Sequence, residues 1–411
     1  MTVSLKDKDI TELAEKILSK YKLCDSCLGR VFAKVEKEMT NKERGEALRK
    51  HLKQRKKTEV GKCWLCSGLI GEIPHFADLI EDSLKEYEFE TFLLGSKIDE
   101  DIQHMEQELL DFTRSKYTEP IRMELNREIG KILEERLGKE VNFEQPTITA
   151  VIDTAFDVVN LQTRSLFIYG RYKKYGRDIP QTKWFCRVCL GKGCRRCNYT
   201  GKMYETSVEE IVAKPFLEKT QGTDDSFHGC GREDIDVRML GNGRPFVLEI
   251  KNPKVRNLDL SGLEKDINTH NKEKIEVSNL RPSNKDEMIR IKSAEFRKVY
   301  RVVFNGEKPI NKEKLKKAAQ TLRDRTISQF TPSRVAHRRA NMVREKKIYN
   351  CNIESVEDTI ATLVLEAESG TYIKELITGD DGKTRPNISE MIDVPCQVLE
   401  LDVIEIEIKG E

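Results

Sequence analysis

The sequence predicts an α+β protein of more than one domain, and three observations carry that prediction. At 411 residues the chain exceeds the usual span of one hydrophobic core. Helical and strand-like periodicities mix along its first half, whereas strand patterns predominate after about residue 207. Four C-x-x-C pairs fall into two groups, a usage suited to metal-stapled segments in a reducing compartment.

In chain order, Asp9 to Tyr21 carries Ile10, Leu13, Ala14, Ile17 and Leu18 on one helical stripe that runs into Cys24-Asp25-Ser26-Cys27. Thr40-Asn41-Lys42-Glu43 fits a capping box, so a basic helix through Arg49, Lys50, Lys53 and Gln54 is predicted before Cys63-Trp64-Leu65-Cys66. From Pro74 to about Lys139 helical patterns surround a short strand at Phe89 to Gly95. Ile148 to Asp153 and Ser165 to Gly176 read as strands, and a cysteine-rich insertion follows Pro180. Beyond it, strands are predicted at Asp234 to Leu240, Arg244 to Ile250, Lys298 to Phe304 and Thr359 to Ala367, with Gly241-Asn242-Gly243 as the turn between the first two. There is no fixed-period repeat and no low-complexity tract, which excludes a solenoid.

Composition narrows the function classes. Hydrophobic content of 38% and charged content of 35%, with no apolar run near the roughly 18 to 20 residues of a membrane span, predict a protein outside the membrane. The opening MTVSLKDKDITELAEKI is charged throughout and lacks the apolar core of a secretory signal, so a cytoplasmic location is expected. A net charge of +2 argues against a uniformly basic surface but permits local patches. The strongest is Arg334 to Lys347, with Arg334, His337, Arg338, Arg339, Arg344, Lys346 and Lys347 against the single acid Glu345. Such runs are commonly solvated faces, yet this one has enough cations to neutralise several phosphates.

Eight of the eleven cysteines form the C-x-x-C pairs; Cys230, Cys351 and Cys396 are expected to be ordinary buried residues. Cys24, Cys27, Cys63 and Cys66 offer four thiolates for one zinc ion, although the wide separation of the pairs makes joint use depend on the intervening fold. Cys186, Cys189, Cys194 and Cys197 are compact enough for one loop to wrap an ion, with Gly191 and Gly193 allowing tight turns. One or two structural ions are therefore expected. A catalytic zinc is not, because four cysteines leave no open coordination position. Arg195 and Arg196 lie between the last pair, where a basic knuckle could follow a phosphate backbone, beside the simpler reading of a staple.

The segment Phe227-His228-Gly229-Cys230-Gly231-Arg232-Glu233-Asp234 sets a carboxylate beside an arginine after glycines. Alone it is a weak signal, since such neighbours are mostly surface ion pairs. By residue type and spacing, Asp234 and Asp236 both remain candidates for the reacting group; in one regular strand they would share a face. In context the segment resembles the G-R-x-D motif of pseudouridine synthases, and Asp234 to Pro253 resembles the archaeal-type, THUMP-containing enzymes that modify tRNA uridines 54 and 55. The resemblance continues through Lys298-Val299-Tyr300-Arg301, Thr331 to Ala340, Ser369 to Leu376 and Cys24 to Arg30, and so covers nearly the whole chain.

That resemblance implies an isomerisation: the N1 bond to ribose breaks, the base turns, and C5 is joined instead, with no organic cofactor. It selects Asp234 as the catalytic carboxylate, a role that needs the group charged. It makes Lys374 the cation paired with that aspartate, and Tyr300 and Tyr372 the rings that receive a uridine displaced from its stack. Arg232 contacts phosphate or takes the vacated base position, unless it merely pairs with Glu233 or Asp236. Arg334, His337, Arg338 and Arg339 become an RNA clamp, tRNA the partner, and a monomer the expected state. The implied organisation is a helical zinc-binding segment at 1–70, a THUMP-like tRNA-binding domain at 71–180, a zinc-knuckle insertion at 181–205 and a mixed-sheet pseudouridine synthase domain at 206–411. Two rival readings stand beside it. Asp234 or Asp236 with Glu249 and Lys251 could form a magnesium-dependent nuclease site, and the cysteines with the basic run could make a non-catalytic RNA-binding protein.

Overall fold

The computed structural model describes residues 3–407 apart from 54–56, 295 and 337–338. It divides into two compact units, Met1–Arg164 and Ser165–Glu411, each with its own buried core.

In the first unit the predicted amphipathic stripe forms α1 (Lys8–Lys20), burying Ile10, Ala14 and Ile17. The first cysteine pair opens α2 (Asp25–Arg30). Thr40 starts α3 (Asn41–His51) with the predicted capping box: Glu43 N donates to Thr40 Oγ1 at 3.2 Å, and Thr40 N donates to Glu43 Oε2 at 2.8 Å. This helix stops at His51, short of the predicted Lys53, which takes a positive φ; Gln54 lies outside the described residues. There follow α4 (Ile73–Leu84), β1 (Thr91–Lys97), α5 (Glu100–Thr113), α6 (Ile121–Leu137), β2 (Glu140–Val141), β3 (Ile148–Asp153) and β4 (Val158–Thr163). The four strands make a mixed sheet ordered β2-β1-β3-β4, in which β1 runs parallel to both neighbours and β3 and β4 are antiparallel.

The second unit begins with β5 (Leu166–Lys174), the strand that the sequence reading placed in the preceding domain. It pairs with later strands of this unit on both edges, and that pairing brings the division forward from 180 to 164. After the cysteine insertion come α7 (Val208–Thr220), β6 (Asp224–Gly229), β7 (Arg238–Lys251), α8 (Leu260–His270), β8 (Ile275–Ser283), α9 (Lys285–Ser293) and β9 (Arg297–Gly306). The chain continues through α10 (Lys312–Leu322), β10 (Arg325–Phe330), β11 (Val343–Glu357), β12 (Ile360–Ala367), α11 (Ile373–Thr378), β13 (Thr384–Arg385), α12 (Ile388–Ile392) and β14 (Cys396–Glu407). The large sheet runs β13-β10-β11-β12-β9-β14-β7-β5-β8, with β6 paired on β7. Its β14–β7 pair is parallel and the rest antiparallel, so the mixed-sheet α+β expectation holds.

Two local expectations fail together. Asp234 to Val237 is a turn, closed by Val237 N donating to Asp234 O at 3.1 Å, and the strand starts only at Arg238. Gly241-Asn242-Gly243 does not separate two strands; it is a bulge inside the continuous β7, where Tyr172 pairs with Arg244 but Lys174 pairs with Met239. Positive φ values of 59° and 74° at the two glycines suit a bulge as well as a hairpin turn. A Cβ at Gly241 would lie 1.7 Å from Ile404 O, so this position must stay bare for β14 to approach.

Candidate active site

The turn that carries Asp234 is held in place through its main chain. Gly231 has φ +73°, and the carbonyls around it are gripped from outside the loop. Arg244 Nη1 donates to Cys230 O at 2.6 Å, Gln181 Nε2 to Gly231 O at 3.1 Å, Lys174 Nζ to Ile235 O at 2.7 Å, and Arg177 Nη1 to Asp236 O at 2.9 Å. Lys174 is fully buried; desolvation pulls its pKa down to about 8 against the opposing charges of Glu233 and Asp236. Beneath the turn, Glu233 is buried with Arg244, whose Nε lies 2.9 Å away, and accepts from Tyr172 Oη at 2.9 and 3.0 Å. Glu233 is thus a structural anchor, and the arginine beside it in space is Arg244 rather than Arg232.

Asp234 and Asp236 sit in the turn, not in a strand, so strand alternation does not govern them. Each meets its own cation. Arg334 Nη1 lies 2.5 Å from Asp234 Oδ2, while Arg334 Nε and Nη2 donate to the buried Glu375 at 2.6 and 3.2 Å. Burial opposes the charge on Arg334, but the two carboxylates outweigh it and raise its pKa. Lys374 was expected to pair with Asp234; it stands 3.8 Å from that carboxylate and makes its closer contacts, 2.7 and 2.9 Å, with Asp236. Burial works against ionisation of Asp236, yet the Lys374 hydrogen bond and charge prevail and hold its carboxyl below the ordinary value. Arg334, assigned in sequence to the RNA clamp, thus lies closer to Asp234 than Lys374 does.

Asp234 and Arg334 line a cavity of about 570 Å³ with Arg232, Tyr300, Tyr372 and Lys374. Tyr300 reaches it from β9, whose buried positions alternate, and burial pushes its phenol up to about 12. Tyr372 caps α11, and its backbone is clamped by the buried Gln329, which donates to Tyr372 O and accepts from Tyr372 N, both at 2.9 Å. Arg232 packs its guanidinium over Trp184, 5.2 Å from the ring centre, and a neighbouring hollow joins Trp184 and Arg187 to Asp234 and Lys374. The base of the cysteine insertion thus reaches the mouth of the site. Of the remaining basic run, Arg339, Arg344 and Lys346 line the cavity, Lys346 pairing with Glu368 at 2.6 Å; His337 and Arg338 lie outside the described residues. Gln181 and Gln329 escaped sequence reading because each acts across a long stretch of chain and neither stands in a motif; Arg244 and Glu375 lie inside matched segments, but nothing local marks them as anchors.

The nuclease constellation does not assemble. Glu249 pairs with His228 at 3.0 Å and Lys251 with Asp224 at 2.8 Å, and neither lines the cavity. Among the described residues, the clusters able to hold a metal are the two cysteine groups. Each brings four sulfurs within 4.8 Å of one another. Sulfur–sulfur separations of 4.0 Å for Cys24–Cys66, 3.9 Å for Cys186–Cys194, 3.8 Å for Cys189–Cys197 and 3.7 Å for Cys194–Cys197 match the edge of a tetrahedron. With metal–sulfur bonds of about 2.3 Å that edge is about 3.8 Å, so the donor sets fit a structural ion. Backbone N–H groups of Gly193, Cys194 and Gly201 donate to sulfurs at 3.2 to 3.3 Å, as thiolates require. Of the three other cysteines, Cys230 and Cys351 are buried as expected and Cys396 is half-buried.

The family description "Pus10, C-terminal" matches residues 167–407, and "Pus10 THUMP domain, archaeal" matches residues 76–153. The tRNA pseudouridine synthase Pus10 of Methanocaldococcus jannaschii is 42% identical, over 95% of this chain and 93% of its own. The chain belongs to the Pus10 family. Its relative from Methanothrix thermoacetophila, also a tRNA pseudouridine synthase Pus10, is 37% identical over 97% of this chain and 94% of its own. A solved Cbf5-Nop10-Gar1 complex contains a chain similar to this one at a TM-score of 0.31 and 15% identity, over 48% of this chain and 45% of that one. The Pus10 matches bear out the resemblance read from the motifs, and with them the THUMP-containing first unit and the enzyme class, an isomerase.

Proposed function

We propose that this enzyme converts uridine to pseudouridine in the T-arm of tRNA, at positions 54 and 55, with Asp234 as the reacting carboxylate. The observation that carries the reading is the placing of Asp234 at the wall of a nucleotide-sized cavity, paired with Arg334 at 2.5 Å and within 3.8 Å of Lys374, beside Tyr300 and Tyr372. Two cations, Arg334 and Lys374, stand against its carboxylate. An ionised carboxylate is what both routes need, attack on the substrate or assistance to the ribose as the base departs. The N1–C1′ electron pair leaves with uracil, the base turns, C5 bonds to C1′, the C5 proton is released, and N1 takes up a proton.

Tyr300 and Tyr372 offer the rings that replace lost stacking, about 1 to 3 kcal/mol per base. Arg232 and the loop from Arg334 through Arg339, including His337 and Arg338, hold the RNA backbone. The first unit binds tRNA through its THUMP domain, and both cysteine groups carry zinc as structural staples. In this reading the protein acts as a monomer on cytoplasmic tRNA.

The direct test is Asp234→Asn assayed on tRNA tritiated at uridine C5. Tritium release should fall by at least about a thousandfold, a loss on the order of 4 kcal/mol in the barrier, while tRNA binding persists. Undiminished release would remove Asp234 from the reaction. Mapping pseudouridine in the product tests positions 54 and 55.

A further inference from the structure

The floor of the cavity holds a cation that no hydrogen bond or ion pair among the described residues explains. Lys298 lies two residues before Tyr300 on β9, and the two share its buried face. The residue is 5% exposed and lines the cavity, and its ammonium makes no hydrogen bond to any described residue. Its Nζ lies under the motif's glycine, 2.9 Å from where a Cβ at Gly231 would stand. Arg244 stands beside it, fully buried, its Nη1 donating to Cys230 O and its Nε 2.9 Å from Glu233 Oε2 in an ion pair. The floor therefore carries two positive charges against the single carboxylate of Glu233, which Arg244 and Tyr172 already occupy. A buried ammonium without an acceptor is costly, and it is expected only where a ligand completes it.

The part of a nucleotide that reaches a floor deeper than Asp234 is the base, since the phosphates stay with the strand outside. Building on the isomerase reading above, we propose that Lys298 is a catalytic residue that donates to a carbonyl oxygen of the target uracil and stabilises its charge as the glycosidic bond breaks. When the N1–C1′ pair departs with the base, negative charge spreads over N1 and the two carbonyl oxygens. A fixed ammonium in a water-poor site meets that charge without rearrangement. The charge is quenched when C5 attacks C1′; the C5 proton is then lost and N1 takes up a proton, so that the product is an isomer of the substrate.

The lysine must be protonated to act. Burial, then the repulsion of Arg244, lowers its pKa to about 8 against the pull of Cys230 and Glu233. Tyr300 flanks it on β9, and its cross-strand partners Ala367 and Ile406 add no charge. Across the cavity stand Asp234, Arg334, Arg339, Arg344, Lys346 and Lys374. A lysine whose folded pKa is lowered makes the unfolded state the better proton binder between about pH 8 and its ordinary pKa, so its buried charge destabilises the fold below that window. Removing it should therefore leave the melting temperature unchanged or raise it.

The experiment compares the full chain with Lys298→Met and Lys298→Arg in single-turnover tritium release, with melting temperature and tRNA affinity measured alongside. Lys298→Met should lose on the order of a hundredfold in rate, as expected for one lost oxyanion donor, while tRNA affinity stays within about twofold and melting does not fall. Lys298→Arg should recover part of the rate. The wild-type rate should decline as pH rises through about 8, and Lys298→Met should lack that limb. On tRNA containing 5-fluorouridine, whose uracil anion is intrinsically more stable, consumption of the nucleoside should suffer a smaller Lys298→Met penalty. Wild-type-like release by Lys298→Met, a loss that merely tracks unfolding, or equal penalties on both substrates would overturn the assignment. Absence of release by the wild type would instead overturn the isomerase reading and this inference with it.

Discussion

The two cysteine groups have the same four ligands but different surroundings. Cys24, Cys27, Cys63 and Cys66 are at most 2% exposed and belong to the hydrophobic core of the first unit. Arg30 lies beside them, its Nη2 3.6 Å from Cys27 Sγ and its Nη1 3.0 Å from the buried Glu124. In the second group only Cys186 is buried, and Phe185, Val188, Leu190 and Tyr199 around it face solvent. Identical chemistry thus serves two purposes. In the first unit an ion would be part of the core; in the insertion it would order a short loop that otherwise has almost nothing to bury.

Metal removal should divide the two sharply. A structural zinc contributes on the order of 10 kcal/mol, comparable with the whole stability of a domain, about 5 to 15 kcal/mol. Cys27→Ser, or exhaustive chelation, is expected to abolish the cooperative melting of residues 1–164 and leave the second unit's transition in place. Persistence of both transitions in calorimetry would contradict the core role.

Arg30→Met sharpens the same point without touching a ligand. It strands Glu124, whose pKa burial already raises against the attraction of Arg30, and breaking a buried pair from one side costs about 3 to 5 kcal/mol. The melting temperature of the first unit should fall while the metal stoichiometry stays unchanged. The smallest effect is expected from Cys197→Ser: loss of one metal equivalent, faster amide exchange across residues 184–203, and little change in global melting. A collapse of the second unit would show that the insertion supports more than itself.

What was readable in sequence was local or periodic. The α1 stripe, the Thr40 capping box and the alternation in β9 depend on residues within a few positions of one another, and each appears where expected. The G-R-x-D segment was readable through its resemblance, as were Tyr300, Tyr372 and Lys374, which line one cavity with it. What was hidden depends on distance along the chain. Arg334 reaches Asp234 across 100 positions, and nothing in a basic run marks which arginine turns inward. The Gly241-Asn242-Gly243 error has a different origin: a bulge and a hairpin turn ask for the same left-handed backbone, so the residues alone do not separate them.

The grip on the Asp234 turn has one further consequence. Lys174, Arg177, Gln181 and Arg244 hold it by carbonyl oxygens, groups that every amino acid possesses. The placement of the turn is thus largely indifferent to the side chains at positions 232 and 235, and descendants of this chain could alter what the loop shows to a substrate without having to reinvent where it lies.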